Sequence, residues 1–253
     1  MVVLVHGFAA SADDPGVVRQ AEALHATGLD VLCYDSRGHG DSDGLCTIGD
    51  LESHDVAATV AAVAAVVGSR DVPVIVLGAS MGAIAALRFA AMTKEKLAGV
   101  VCVSSPSGWR PPRTARGVLA AGMTRTGLGR PLAARYLRVR IHARWANPEP
   151  PQALISRIAV PVALVQGERD RFIPSSAARE LYEACRGARR LELVPDMGHA
   201  FDPAGLDAIC AAVEWTLSGP ADPIVEPGLV ARSVGCSDAR RSRRGHPRFI
   251  FRQ

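Results

Sequence analysis

Val72-Pro73-Val74-Ile75-Val76-Leu77-Gly78-Ala79-Ser80-Met81-Gly82-Ala83 is an apolar run that ends in Gly-x-Ser-x-Gly and passes directly into a helical pattern. Its uniform Val, Ile and Leu content suits a parallel strand buried on both faces, whereas Ala83 to Ala91 repeats apolar residues at helical spacing. Ser80 is therefore expected where strand becomes helix, with its hydroxyl at the tip of a sharp turn. Strand and helix would pack too closely there for a Cβ two residues to either side, a physical reason for Gly78 and Gly82. Gly-rich strand-to-helix turns also serve packing alone, so catalysis by Ser80 requires an acid and a His at the ends of later strands.

Upstream, Met1 to Val5 reads as a second buried strand, with His6-Gly7-Phe8 at its carboxyl end, where open parallel sheets hold ligands. Val17 to Thr27 reads as a helix stopped by Gly28, with Ser11, Asp13 or Asp14 as its cap. Asp30 to Tyr34 is a strand running into the polar, Gly-rich loop Asp35 to Gly44, and Ile48 to Val67 is a long Ala/Val helix. Downstream, Leu97 to Val103 and Val160 to Gly167 are strands, the second delivering Glu168-Arg169-Asp170. Ser175 to Cys185 is a helix with Ser175 or Ser176 as its cap, and Leu191 to Val194 is a last strand followed by Gly198-His199. A final helix opens at Asp202 or Pro203 and runs to about Leu217.

Strands and helices that alternate in this way imply a doubly wound α/β sheet. Residues 1–103 and 159–218 would form its two parts. Residues 104–158 lose strand periodicity and read as a helical cap insertion, with helix-compatible pieces at Arg116 to Met123 and Pro131 to Arg140. Residues 219–253 are dominated by Pro, Gly and Arg and read as a disordered basic tail.

At 253 residues and 48% hydrophobic content, the chain can bury one sizeable core. No stretch approaches a membrane span. Met1 to Val5 is too short for a signal-peptide core and lacks a basic leader, which points to a cytoplasmic protein. The six Cys are scattered, without a Cys-x-x-Cys pair, as small buried apolar residues would be. No Gly-x-Gly-x-x-Gly follows a strand, and the His residues lack ligand spacing, so no cofactor and no metal is expected. Charge is unevenly placed: residues 104–158 hold ten Arg against Glu149 alone, and residues 219–253 hold seven Arg against three acids. The Arg side chains of the insertion leave three readings open: a solvated face, a grip on an anionic substrate, or contact with an anionic membrane surface. A short basic tail is usually just solvated, so nucleic acid is not the expected partner.

Four motifs together resemble the α/β-hydrolase fold family, over nearly all of Val2 to Leu217. They are Leu4-Val5-His6-Gly7-Phe8, Asp35-Ser36-Arg37-Gly38-His39-Gly40-Asp41-Ser42, Gly78-Ala79-Ser80-Met81-Gly82, and Gly167-Glu168-Arg169-Asp170 with Gly198-His199. The resemblance implies Ser80 as nucleophile, Asp170 as acid and His199 as base, with the backbone N–H groups of Phe8 and Met81 as oxyanion donors. Glu168, Asp196 and Asp202 compete for the acid's place; Asp170 is preferred because it follows the strand and precedes Ile173-Pro174. His25, His54 and His142 are expected on helices and His246 in the tail, while His6 and His39 are expected to brace loops. The implied activity is serine hydrolysis of a small or lipid-like carboxylic ester or thioester, anionic substrates included, through an acyl-enzyme. The alternatives are a cofactor-free haloperoxidase or perhydrolase, and a non-catalytic ligand-binding member of the fold. One departure stands out: the chain begins inside what would be the family's third strand, so the antiparallel pair ahead of it is missing. Asp30 to Tyr34 is then an edge, to be covered by upstream sequence, by a homodimer or by the tail.

Overall fold

Apolar runs become seven strands of one sheet in the computed structural model, which describes residues 1–67, 71–109, 118–119, 121–122, 124, 126–144, 146–219 and 224–229. The strands are β1 (Val2–Val5), β2 (Val31–Cys33), β3 (Ile75–Ala79), β4 (Gly99–Val103), β5 (Val162–Gly167), β6 (Arg189–Val194) and β7 (Ile224–Leu229). Their spatial order is β2-β1-β3-β4-β5-β6-β7, and each neighbouring pair is parallel. The helices include α1 (Pro15–Ala26), α2 (Glu52–Val67), α3 (Met81–Met92), α4 (Gly129–Tyr136), α5 (Pro151–Ile155), α6 (Ser175–Ala184) and α7 (Leu206–Ser218), with a 3-10 turn at Pro203–Gly205 ahead of α7.

Side chains alternate across the sheet with period two, so each strand feeds two cores. Val3 and Val5 of β1 join Val56 and Val60 of α2, Leu87 of α3 and Leu181 of α6 on one face. Val2 and Leu4 join Val17 and Leu24 of α1 and Ile209 and Val213 of α7 on the other. Both faces of β1, β3, β4 and β5 are thus covered, and each fully buried Leu or Ile contributes roughly 1.5–3 kcal/mol. The doubly wound α/β sheet expected from the sequence is the one observed.

Boundaries shift where side chains override the pattern. α1 starts at Pro15 because Asp14 caps it, its Oδ1 accepting the Gly16 N–H at 2.9 Å. α2 starts at Glu52 and not at Ile48, because the Glu52 carboxylate turns back and accepts the Thr47 N–H (2.6 Å), the Thr47 hydroxyl (2.6 Å) and the Gly49 N–H (2.9 Å). These bonds hold Ile48 at φ 59° and Gly49 at φ 89°, which no helix accommodates. The cap of α6 is Pro174, with no side-chain cap bond; Ser175 is its first helical residue, against the expectation that Ser175 or Ser176 would cap it.

The largest correction falls in the stretch read as a disordered tail, where residues 224–229 form β7 on the outer side of β6. Two residues of β7, Glu226 and Pro227, oppose the single Leu191, so the proline sits in a bulge of an edge strand, where its missing N–H costs no ladder bond. β2 forms the opposite edge. Half of the helical piece proposed for Arg116 to Met123 and everything after residue 229 lie outside the described residues.

Candidate active site

The order β2-β1-β3 makes the gap between the carboxyl ends of β1 and β3 the point where the winding reverses, and open α/β sheets bind ligands at such a point. Ser80 stands there, between β3 and α3, with φ 53° and ψ −112°. Its N–H donates to the Val103 carbonyl of β4 at 2.8 Å. A Cβ on Gly78 would strike the Gly82 carbonyl, and one on Gly82 would strike the carbonyls of Val5 and His6, so the two glycines admit the helix against β3 and β1 respectively. Gly7 lies directly on the turn, its missing Cβ position 3.4 Å from the Ser80 Cβ. This contact brings the Gly7-Phe8 segment beside Ser80. Met81, as the first residue of α3, carries an N–H with no acceptor inside the helix.

Asp170 and His199 come from the loops after β5 and β6. The His199 Nδ1 lies 2.7 Å from Asp170 Oδ2. Asp170's side chain is fully buried, and its carboxylate also accepts the N–H groups of Phe172 (2.8 Å) and Ile173 (3.0 Å) and the Gln166 amide (3.1 Å). Burial alone would raise its pKa; the hydrogen bond and charge of His199, with the two backbone N–H donors, outweigh it and hold the carboxyl below its ordinary range. The two loops meet backbone to backbone because Gly167 has no Cβ: one there would strike the carbonyls of Met197 and Gly198. The Phe172 ring lies against the imidazole, with centroids 4.9 Å apart. Two of the competing acids are engaged elsewhere. Asp196 pairs with Arg169 at the surface (2.7 Å), and Asp202 accepts the Ala204 N–H as the cap of the 3-10 turn (2.9 Å).

Ser80 and His199 line one cavity of about 300 Å³, together with Gly7, Phe8, Asp14 and Phe201. His6 stands behind it, fully buried. Its Nε2 accepts the Ser36 N–H (2.9 Å), which leaves the ring proton on Nδ1 for the Gly7 carbonyl (2.8 Å). Burial first, and repulsion by His39 second, lower its pKa to about 4, so it is neutral near pH 7. Asp35 ties the same region together, accepting the N–H groups of Ala12 (2.7 Å) and Asp41 (2.9 Å). Among the described residues, no group of three or more His, Cys, Asp or Glu could hold a metal ion. No helix among them is long and apolar enough to cross a membrane.

The insertion packs where the oxyanion donors would lie. Ala133 of α4, Val139 and Ile141 form a small core with Cys46 and Met81, and Phe8 packs against it. The arm after α4 joins the loop after β2, with Arg140 N–H to Gly38 O (2.8 Å) and Cys46 N–H to Arg140 O (2.7 Å). Across this seam, Arg138 faces Asp41 (3.7 Å) and Arg140 faces Asp43 (3.9 Å). Two Arg of the basic stretch thus meet Asp41 and Asp43 of the loop after β2, in exposed pairs of small energy. Arg110, Arg113, Arg116 and Arg125 lie outside the described residues.

Two residues at the site escaped the reading of the sequence. Gln166 is fully buried and gives its amide N–H to Asp170, Gly167 and Ile173. A lone polar residue at the end of an apolar strand was its signal. Ser104, also fully buried, accepts the Ala200 N–H through Oγ at 3.0 Å. Strain concentrates in the same place: Ala9, Ser80, Ser104 and Ala200 all have φ between 51° and 61°, at a cost on the order of 1–2 kcal/mol each.

A family model, Hydrolase_4, described as serine aminopeptidase, S33, matches residues 1–147. The uncharacterized protein YqkD of Bacillus subtilis is 28% identical over 203 residues, which cover 79% of this chain. The match takes in 64% of that relative's length, so the chain spans less than two thirds of it. Among solved structures, the Pyrococcus furiosus esterase Pf2001 is similar at a TM-score of 0.63 and 24% identity, covering 86% of this chain and 81% of that one. The Paleococcus ferrophilus monoacylglycerol lipase is similar at a TM-score of 0.58 and 22% identity, covering 86% and 93%. The Exiguobacterium antarcticum esterase EaEST is similar at a TM-score of 0.62 and 18% identity, covering 86% and 91%.

Proposed function

The chain belongs to the serine aminopeptidase, S33 family of α/β hydrolases, and from that membership we propose that it is a serine hydrolase that cleaves carboxylic esters through an acyl-enzyme on Ser80. The observation that carries this reading is the 2.7 Å pair of His199 Nδ1 and Asp170 Oδ2, with His199 and Ser80 lining one cavity at the switch point of the sheet. A Ser hydroxyl is a poor nucleophile until an imidazole takes its proton. With Nδ1 committed to Asp170, His199 has Nε2 for that task, and the buried carboxylate stabilises the imidazolium that results.

In the first step the Ser80 oxygen attacks the ester carbonyl as His199 takes its proton. The N–H groups of Met81 and Phe8 stabilise the oxyanion, Met81 from the positive end of α3 and Phe8 from the segment that Gly7 lays on the turn. His199 then protonates the leaving alcohol. Water then attacks the acyl carbon and loses a proton to the same nitrogen, which hands it to the Ser80 oxygen as the acyl–oxygen bond breaks and the acid leaves. No cofactor takes part in either half. The esterase and lipase names of the structurally similar proteins accord with an ester substrate; the acyl and alcohol groups depend on the insertion above Phe8 and Met81.

A fluorophosphonate probe tests this directly. Labelling is expected on Ser80, with competition by a short-chain p-nitrophenyl ester and loss in Ser80→Ala. Folded wild-type protein that takes up no probe and turns over no ester would overturn the reading.

A further inference from the structure

We propose that the Ser104 hydroxyl is a positioning group that keeps the His199 loop in register with Ser80, by accepting the Ala200 N–H from the strand end whose Val103 carbonyl accepts the Ser80 N–H. The proposal rests on the reading that Ser80 and His199 perform the chemistry. Two adjacent residues at the end of β4 thereby touch both partners: Val103 O holds the Ser80 N–H at 2.8 Å and Ser104 Oγ holds the Ala200 N–H at 3.0 Å. The Ser104 N–H donates to Val165 of β5 (2.9 Å), the strand that delivers Asp170. All three candidate residues are therefore referred to one point of the sheet.

The contact is needed because the other restraints on His199 leave its distance to Ser80 undetermined. Asp170 grips the ring at Nδ1, which fixes tautomer and tilt but lets the loop shift about that bond. Ahead of the His, Met197 O is held by the Arg169 N–H (3.0 Å). Behind it, Ala200 sits at φ 57°, a conformation an alanine leaves unless something holds it. Ser104 is that hold. It is fully buried and itself at φ 51°, so the chain carries strain at both ends of this one hydrogen bond.

The test uses the full chain with three substitutions. Ser104→Ala removes only the oxygen, Ser104→Cys keeps the volume with a much weaker acceptor, and Ser104→Gly also relieves the positive φ. In all three, kcat for a short ester and the rate of fluorophosphonate labelling of Ser80 should fall together, by about tenfold to a hundredfold, with KM changed by less than about twofold. Full recovery in Ser104→Gly would show that backbone strain and not the hydroxyl matters, and would overturn the proposal. The second readout is the NMR signal of the His199 Nδ1 proton on Asp170 in the resting protein, which requires no turnover. It should be sharp in wild type and broadened by exchange in Ser104→Ala. Broadening in a protein that hydrolyses nothing would uphold the positioning role while refuting the hydrolase reading. An active wild type whose Ser104→Ala variant keeps both rate and sharp signal would refute the positioning role alone.

Discussion

His6 and His199 both stand in loops at the carboxyl edge of the sheet, each next to a glycine, yet their surroundings prepare them for opposite work. The His6 ring is fully buried, with Nε2 and Nδ1 both spent on backbone groups, of Ser36 and Gly7. The His199 side chain is 24% exposed and spends Nδ1 on a buried carboxylate while lining the cavity beside Ser80. A saturated, desolvated imidazole cannot take a proton without breaking a bond, whereas one with a free nitrogen and a carboxylate behind it is made to do so. Commitment of the ring nitrogens, more than proximity to Ser80, thus separates His6, a brace, from His199, the proposed base.

The harshest attempt to break this contrast is to remove each imidazole in turn. His199→Ala should lower kcat for an ester on the order of a millionfold, as should Ser80→Ala, and the double variant should be little worse because the two act as a unit. His6→Gln should lower it by only about tenfold, through a loosened Gly7-Phe8 segment. Comparable losses in His6→Gln and His199→Ala would erase the distinction.

Removing the carboxylate behind His199 sharpens the same point. Four donors converge on Asp170, from His199, Gln166, Phe172 and Ile173, so the amide of Asp170→Asn must turn its NH₂ toward at least one of them. Turnover should fall by about ten-thousandfold with the fold retained. Asp196→Asn disturbs only an exposed pair with Arg169 and should change turnover by less than about twofold. The reverse pattern in steady-state rates would reassign the acid.

These corners differed in how plainly the sequence announced them. The Ser80 turn is written in glycine: Gly78 and Gly82 are required by backbone atoms within van der Waals reach, and glycine spacing is visible in a string of letters. The parallel strands were equally plain, because β1, β3 and β4 are buried on both faces and read as continuous apolar runs rich in Val. The supports of His199 are written in single hydrogen bonds from residues remote in sequence. Ser104 and Ala200 are 96 positions apart, and nothing local distinguishes this Ser from Ser105. The start of α2 was misread because the Glu52 carboxylate overrides a helical pattern, although Gly49 within that pattern was a warning. β7 was missed because an edge strand holding Pro and Gly lacks the density of apolar residues that marked the others.

A glycine-coded corner and a hydrogen-bond-coded corner should also fail differently. Gly82→Ala forces a Cβ against the carbonyls of Val5 and His6 and should cost roughly 3 kcal/mol in urea unfolding, with activity falling as the turn deforms. Gly122→Ala, which meets no atom of the described residues within 4 Å, should leave stability within about 0.5 kcal/mol. Equal midpoints for the two variants would mean that the turn has slack the packing does not show.

The smallest effect expected is a pH dependence that belongs to His6. Burial lowers the His6 pKa from 6.5 to about 4 in the folded chain, so the unfolded chain binds the extra proton between those values. Stability from this group is complete above about pH 6.5, declines as pH falls toward 4, and is level below that. Between pH 7.5 and pH 5 the loss should be about 2 kcal/mol. The charges around the ring are His39, Asp35 and Asp14; His39 is itself pushed down, by burial first, and adds to the slope in the same direction. Asp170 does not confound the window, since its pKa is lowered from 3.8 and its contribution is lost only under more acidic conditions. Urea unfolding of wild type and His6→Gln at the two pH values isolates the His6 component as the difference between their slopes. If the slopes match, the imidazole accepts its proton without cost, and the account of His6 as a saturated, neutral brace is wrong.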